Sequence, residues 1–207
     1  MATITNITLQ KNKSRANIFL NGEFVCGLNN ITIVKNGLKI GTVIQKENLL
    51  KIYNESEMEG AYEKALSLLS RQKYTKKAIV DKLKAKGYDA EIIENVINKL
   101  AEYGYINDED FVKSFVNCNT TKSKRAIEAN LMQKGIKREV IKEVLEDSTT
   151  KESEREKCVL ASQKYMKNKI LDDSVAKKLK AHLMYKGFMF EDILYAIKLL
   201  GGEIDYD

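Results

Sequence analysis

One histidine, three cysteines and no glycine-rich phosphate loop leave little from which a reaction could be built. His182 stands between Ala181 and Leu183 with no serine or cysteine motif beside it, so it reads as a packed or exposed side chain and not as a base. Cys26, Cys118 and Cys158 lie far apart and form no CxxC, the spacing of reduced thiols rather than of a zinc site or a disulfide framework. Neither GxxxxGK[ST] nor GxGxxG occurs. Asp172-Asp173 and the cluster from Asn107 to Asp110 hold enough oxygen for a cation, but helix capping explains both at lower cost. Tyr103-Gly104-Tyr105 reads as core packing plus a helix ending, not as a base-stacking platform. The expectation is a protein that is not an enzyme, with no catalytic residue, no metal and no cofactor.

What remains is charge. The net charge is +6, from 35 basic and 29 acidic residues. Basic residues gather near three turns: Arg71, Lys73, Lys76, Lys77, Lys84 and Lys86 at the first, and Lys122, Lys124, Arg125 and Lys134 at the second. Lys177, Lys178, Lys180 and Lys186 stand at the third. They form either ordinary solvated helix faces or, if equivalent faces line up, one basic stripe that meets an acidic surface or DNA.

The elements that would position them follow from a repeat. The segments ending Leu83-Lys84-Ala85-Lys86-Gly87-Tyr88, Leu131-Met132-Gln133-Lys134-Gly135-Ile136 and Leu183-Met184-Tyr185-Lys186-Gly187-Phe188 share one pattern. Their glycines are 48 (135 − 87) and 52 (187 − 135) residues apart. Large apolar residues sit eight and four before each glycine, one after it, and six and ten after it. Steps of four place side chains on one helix face. Gly87, Gly135 and Gly187 supply the left-handed residue that ends a helix, and the next apolar residue folds back in a Schellman ending. A preceding helix begins at Asn107 as N-cap, with Asp110 returning as a capping box; Thr75 starts the second helix of copy one, and Asp89 caps the next. The chain contains no proline to interrupt these helices.

The first residues read differently. Ile4, Leu9 and Ala16–Leu20 are strand-prone, and Asn21-Gly22 before Glu23–Cys26 is a hairpin signal, giving a small antiparallel meander. Ile31, Val34 and Leu38 suggest a short helix ended near Gly37, and a further helix covers Glu47–Tyr53. The expected fold is mostly α: three tandem three-helix repeats in an elongated array, preceded by a small β-meander and helix segment. The expected boundaries are 1–54 for that segment, 55–106, 107–150 and 151–200 for the repeats, and 201–207 for a frayed tail, with the acidic run Glu55–Gly60 marking the first boundary. With no signal-like start and no uninterrupted apolar run, the chain is expected to be cytoplasmic, without a membrane contact.

The run Ala65–Arg71, the element Leu83–Tyr88, the motif Gly104-Tyr105-Ile106-Asn107-Asp108-Glu109-Asp110-Phe111 and Lys134-Gly135-Ile136, in this order and spacing, resemble the RecX family of RecA regulators over about residues 61–200. The meander resembles an extra segment of some Gram-positive members. Asn117-Cys118-Asn119 stands where members often carry an arginine-rich stretch, a departure from the pattern. The resemblance implies a monomeric modulator that lodges along the RecA nucleoprotein filament, in weak contact with DNA, and dampens ATP hydrolysis, strand exchange and LexA cleavage. The rival reading is a helix-turn-helix DNA-binding protein, which the Lys-Gly turns permit but which lacks an evident base-reading series of Arg, Asn or Gln.

Overall fold

A computed structural model describes residues 1–148 and 150–201. Among them are four strands and ten helices, dividing into two units. Met1–Gln72 with Ile79–Tyr105 form one, and Lys73–Ala78 with Ile106–Asp207 the other. Of the tail expected to fray, 201–207, residues 202–207 lie outside the described residues.

In the first unit, β1 (Ala2–Leu9), β2 (Arg15–Leu20) and β3 (Glu23–Asn29) pair antiparallel. Asn21 and Gly22 both take positive φ, 49° and 88°, which a two-residue turn of matching twist needs. A fourth strand, β4 (Val43–Ile44), pairs with Ala2 and Thr3, giving the order β3-β2-β1-β4. Two residues show no period, so β4 is not legible in the residue pattern. The inner face carries Ile4, Ile18, Leu20, Cys26 and Leu28 onto α1 (Asn30–Lys35) and the start of α2 (Lys46–Leu69). Of the three residues that suggested this helix, Leu38 is buried, but Ile31 and Val34 are 74% and 80% exposed, and Ile33 is buried in their place. One turn of helix needs only one inward residue, so spacing could not choose between them. The acidic run Glu55–Gly60 lies inside α2, which continues unbroken through it.

Copy one is completed by α3 (Lys76–Lys84) and α4 (Ala90–Glu102). Ala61, Ala65, Ile79, Leu83, Ile93, Val96 and Leu100 are all buried. Asp89 holds the N-cap position of α4, yet its side chain makes no capping bond. Gly104 does end α4, with φ 69° and a Tyr105 amide bond to the Leu100 carbonyl, but Tyr103 and Tyr105 are 62% and 54% exposed and form no part of the core.

The second unit holds copies two and three. Helices α5 (Asp108–Cys118), α6 (Lys124–Gln133) and α7 (Arg138–Ser148) close over Val112, Val116, Ile127, Leu131, Ile136 and Ile141. Helices α8 (Lys151–Met166), α9 (Asp173–Tyr185) and α10 (Phe190–Leu199) close over Cys158, Leu179, Leu183, Phe188, Ile193 and Ile197. Each fully buried Leu or Ile here contributes about 2 kcal/mol over an exposed one. The turn is the same in every copy. The amides of Tyr88, Ile136 and Phe188 donate to the carbonyls of Leu83, Leu131 and Leu183 at 3.4, 3.2 and 3.2 Å, across glycines with φ of 88°, 79° and 81°. The apolar residue after each glycine is thereby turned back over the helix it has just left.

Candidate partner-binding surface

The basic residues are positioned by helix starts. Thr75 is buried, and its hydroxyl oxygen accepts from the Ala78 amide while donating to the Lys134 carbonyl, at 3.1 and 3.0 Å. Ser123 does the same one copy later, accepting from Ala126 and donating to the Lys186 carbonyl, at 3.1 and 2.7 Å. The next amide is held too: Lys76 donates to Asp108 Oδ1 at 2.9 Å, and Lys124 to Glu154 Oε2 at 2.7 Å. A helix N-terminus leaves several amides unpaired. Here the following copy supplies a carboxylate for one of them and a carbonyl for the capping hydroxyl. The glycines admit this approach. A Cβ on Gly135 would fall 2.8 Å from the Lys77 Cβ, and one on Gly187 would fall 3.1 Å from Ser123 Oγ.

These junctions bring the expected basic residues together in two groups. Lys76 and Lys77 meet the turn that carries Lys134, while Lys73 donates to Ser114 Oγ of α5 at 2.6 Å. Lys122 and Lys134 both lie over the Phe115 ring, their ammonium groups 5.4 and 5.9 Å from its centre. Lys124 and Arg125 meet the turn that carries Lys186. Lys177 and Lys178 are exposed on α9, joined by no bond to either group, and Arg71, Lys84 and Lys86 are exposed residues of the first unit.

Of the junction acids, the sequence marks Asp108 only as part of a local cap and does not single out Glu154. Asn107 does cap α5, accepting from Glu109 and Asp110, but no returning bond from Asp110 completes a capping box. Asp108 looks away from its own helix to the start of α3. A sequence signal for these acids exists in hindsight: each is followed four and eight residues later by buried small or apolar residues. Asp108 precedes Val112 and Val116, and Glu154 precedes Cys158 and Ser162. The same register in copy one gives Glu57, before Ala61 and Ala65. Glu57 accepts from Arg15 Nη2 at 2.6 Å, and Arg15 also donates to the Gly27 carbonyl. A guanidinium from the β-meander therefore fills the place a helix amide fills in later copies. At the other end the hydroxyl is missing. Twelve residues before the glycine stand Thr75 and Ser123 in copies one and two, but Val175 in copy three. There the helix starts one turn earlier, capped by Asp172.

The remaining chemistry is sparse. Burial pushes the Cys26 and Cys158 thiols up to about 11 and about 12, while Cys118 is exposed. His182 packs on the Tyr165 ring at 4.7 Å, and burial, then Lys186 and Lys169, lower its pKa. Among the described residues no group of three or more His, Cys, Asp or Glu could hold a metal ion, and no helix is long and apolar enough to cross a membrane.

Three family models match the chain: the regulatory protein RecX N-terminal domain over residues 2–45, the RecX first three-helix domain over 61–100, and the RecX second three-helix domain over 107–145. The regulatory protein RecX of Clostridium botulinum (strain Eklund 17B / Type B) is 33% identical over 204 residues, 96% of each chain. That of Clostridioides difficile (strain 630) is 32% identical over 213 residues, spanning all of both. A crystal structure of regulatory protein RecX is similar over 96% of this chain and 99% of its own, with TM-score 0.65 and 27% identity. A crystal structure of RecX from Lactobacillus salivarius is similar over 70% of this chain and 97% of its own, with TM-score 0.60 and 29% identity.

Proposed function

This chain belongs to the RecX family of regulatory proteins, and from that premise we propose that it binds RecA on single-stranded DNA and inhibits it stoichiometrically rather than by catalysis. The observation that carries this reading is the pair of junctions. Each fixes a helix start against the next copy by two hydrogen bonds, one to the lysine carbonyl of a Lys-Gly turn and one to a carboxylate, so the basic side chains from neighbouring copies are held at set positions. Cations held in this way suit a partner whose own acidic groups recur at fixed spacing, such as a filament of identical subunits. Inhibition of ATP hydrolysis, strand exchange and LexA cleavage follows if the bound chain bridges subunits that must move. Its site of action is then the cytoplasm, it works as a monomer, and direct DNA contact is secondary.

The rival, insertion of a Lys-Gly helix pair into DNA, is disfavoured because the turns at Gly135 and Gly187 are already seated against the preceding copy. The test is RecA ATP hydrolysis on single-stranded DNA with increasing amounts of the chain. Inhibition complete near equimolar protein is expected, and an unchanged rate overturns the proposal. Reversal of Lys122, Lys134 and Lys186 to Glu, none of which uses its side chain in a junction bond, should weaken inhibition and flatten its salt dependence with the helical fold retained by circular dichroism. These three are chosen because Lys76 and Lys77 also build a junction.

A further inference from the structure

Copy three differs from the others at its turn. Three residues before the glycine, and two and three after it, stand Met184, Met189 and Phe190, which are 54%, 72% and 45% exposed. The corresponding residues are Lys84, Asp89 and Ala90 in copy one, and Met132, Lys137 and Arg138 in copy two. The repeat therefore does not require apolar side chains at all three places. They line two adjoining hollows of about 640 and 450 Å³, whose walls share Lys124, Glu154, Met189 and Phe190. Apolar surface gathered in a groove, methionine-rich and bordered by charge, is the composition of a protein-binding site.

The charges say what kind of partner. Every acid of the groove is already engaged within the chain: Glu128 with Arg138, Glu154 with Lys157 and the Lys124 amide, Glu191 with Lys151, and Asp192 with Arg155. Of the cations, Lys151 is taken by Glu191, but among the described residues no carboxylate pairs with the side chains of Lys124 and Arg125, which line the groove, or of Lys186, which precedes the lining residue Gly187. The uncompensated charge of an apolar groove is thus positive. A second copy would bring the same charge and be repelled. A DNA backbone would leave the methionines and Phe190 uncovered and set its phosphates near four carboxylates.

We propose that this groove receives an acidic segment of the partner protein, with apolar side chains spaced one helical turn apart to cover Met184, Met189 and Phe190, and carboxylates facing Arg125, Lys124 and Lys186. The inference rests on the reading that the chain binds RecA filaments, and it adds where and by what chemistry.

The experiment uses the full chain and RecA assembled on a fluorescein-labelled oligothymidylate, with affinity read by fluorescence anisotropy. The variants are the double substitution Met184→Gln with Met189→Gln, and Arg125→Glu. All three residues are solvent-exposed, and glutamate keeps the Cβ and Cδ with which Arg125 approaches Gly187, so circular dichroism melts should match the parent chain. Each variant is expected to lose at least tenfold in affinity for the filament, with unchanged affinity for the bare oligonucleotide. If the parent chain binds the filament and both variants bind equally well, the groove is not the contact, while filament binding stands. A parent chain that fails to bind overturns both. Loss of bare-oligonucleotide affinity by the same factor would make the groove a nucleic-acid site and overturn the protein-docking proposal.

Discussion

Replacing Ser123 by Ala removes two bonds with one atom. The hydroxyl caps α6 through the Ala126 amide and donates to the Lys186 carbonyl of the next copy. Loss of an N-cap costs about 1 kcal/mol. Loss of the second bond adds about 1–2 kcal/mol, because Ser123 is 1% exposed and the carbonyl facing it loses its donor at a site where water has little access. Ser123→Ala should therefore destabilise copies two and three by roughly 2–3 kcal/mol. Thr150 supplies the internal control. It caps α8 through the Ser153 amide, is exposed, and makes no bond to another copy, so Thr150→Ala should cost only about 1 kcal/mol. Urea titrations followed by circular dichroism, with native-state hydrogen exchange at the Gly187 and Phe188 amides, measure both. Ser123→Thr should lose little, since Thr75 does the same work one copy earlier. Equal costs for Ser123→Ala and Thr150→Ala would refute the claim that the hydroxyl joins two copies.

The glycines give a second comparison. Gly87→Ala meets open space and should cost only the left-handed strain of about 1–2 kcal/mol, whereas Gly135→Ala also strikes the Lys77 stem and should cost at least about 1 kcal/mol more in the same titration. Under native conditions at pH 8 a disulfide-exchange reagent should label one thiol per chain quickly, Cys118, because burial keeps Cys26 and Cys158 protonated and covered; three fast thiols would contradict the packing. His182, the sole histidine, should show a proton NMR titration midpoint below 6.5. As its folded value is depressed, the unfolded chain takes up the proton first, so stability is full above about pH 6.5 and falls as pH drops through the folded value; His182→Gln should remove that slope.

Local features were legible because local chemistry dictates them. Asn21-Gly22 can hardly do anything but turn, and a glycine four residues beyond a buried leucine, followed by an apolar residue, ends a helix in the same way three times. Legibility failed where short segments left choices open. The two residues of β4 carry no period, the single turn of α1 buries Ile33 rather than its two isoleucine and valine neighbours, and Glu55–Gly60 is polar enough to pass for a linker although α2 runs through it. Tyr103 and Tyr105 beside Gly104 looked like core because they are aromatic, yet a helix ending points its flanking residues outward as easily as inward.

By itself, then, the sequence determined the repeated motif: apolar residues in steps of four, a left-handed glycine and a latch are all interactions within about ten residues. Only the tertiary structure decided which distant partners the helix starts at Thr75 and Ser123 take. The bonds join Thr75 to Lys134, Ser123 to Lys186, Lys76 to Asp108 and Lys124 to Glu154, across 59, 63, 32 and 30 residues. A hydroxyl or a carboxylate at a helix start has local and distant partners of nearly equal merit, so its residue type alone does not say which it takes. That choice sets which cations stand together, and it is made by the packing of whole helices rather than by any residue's own preference.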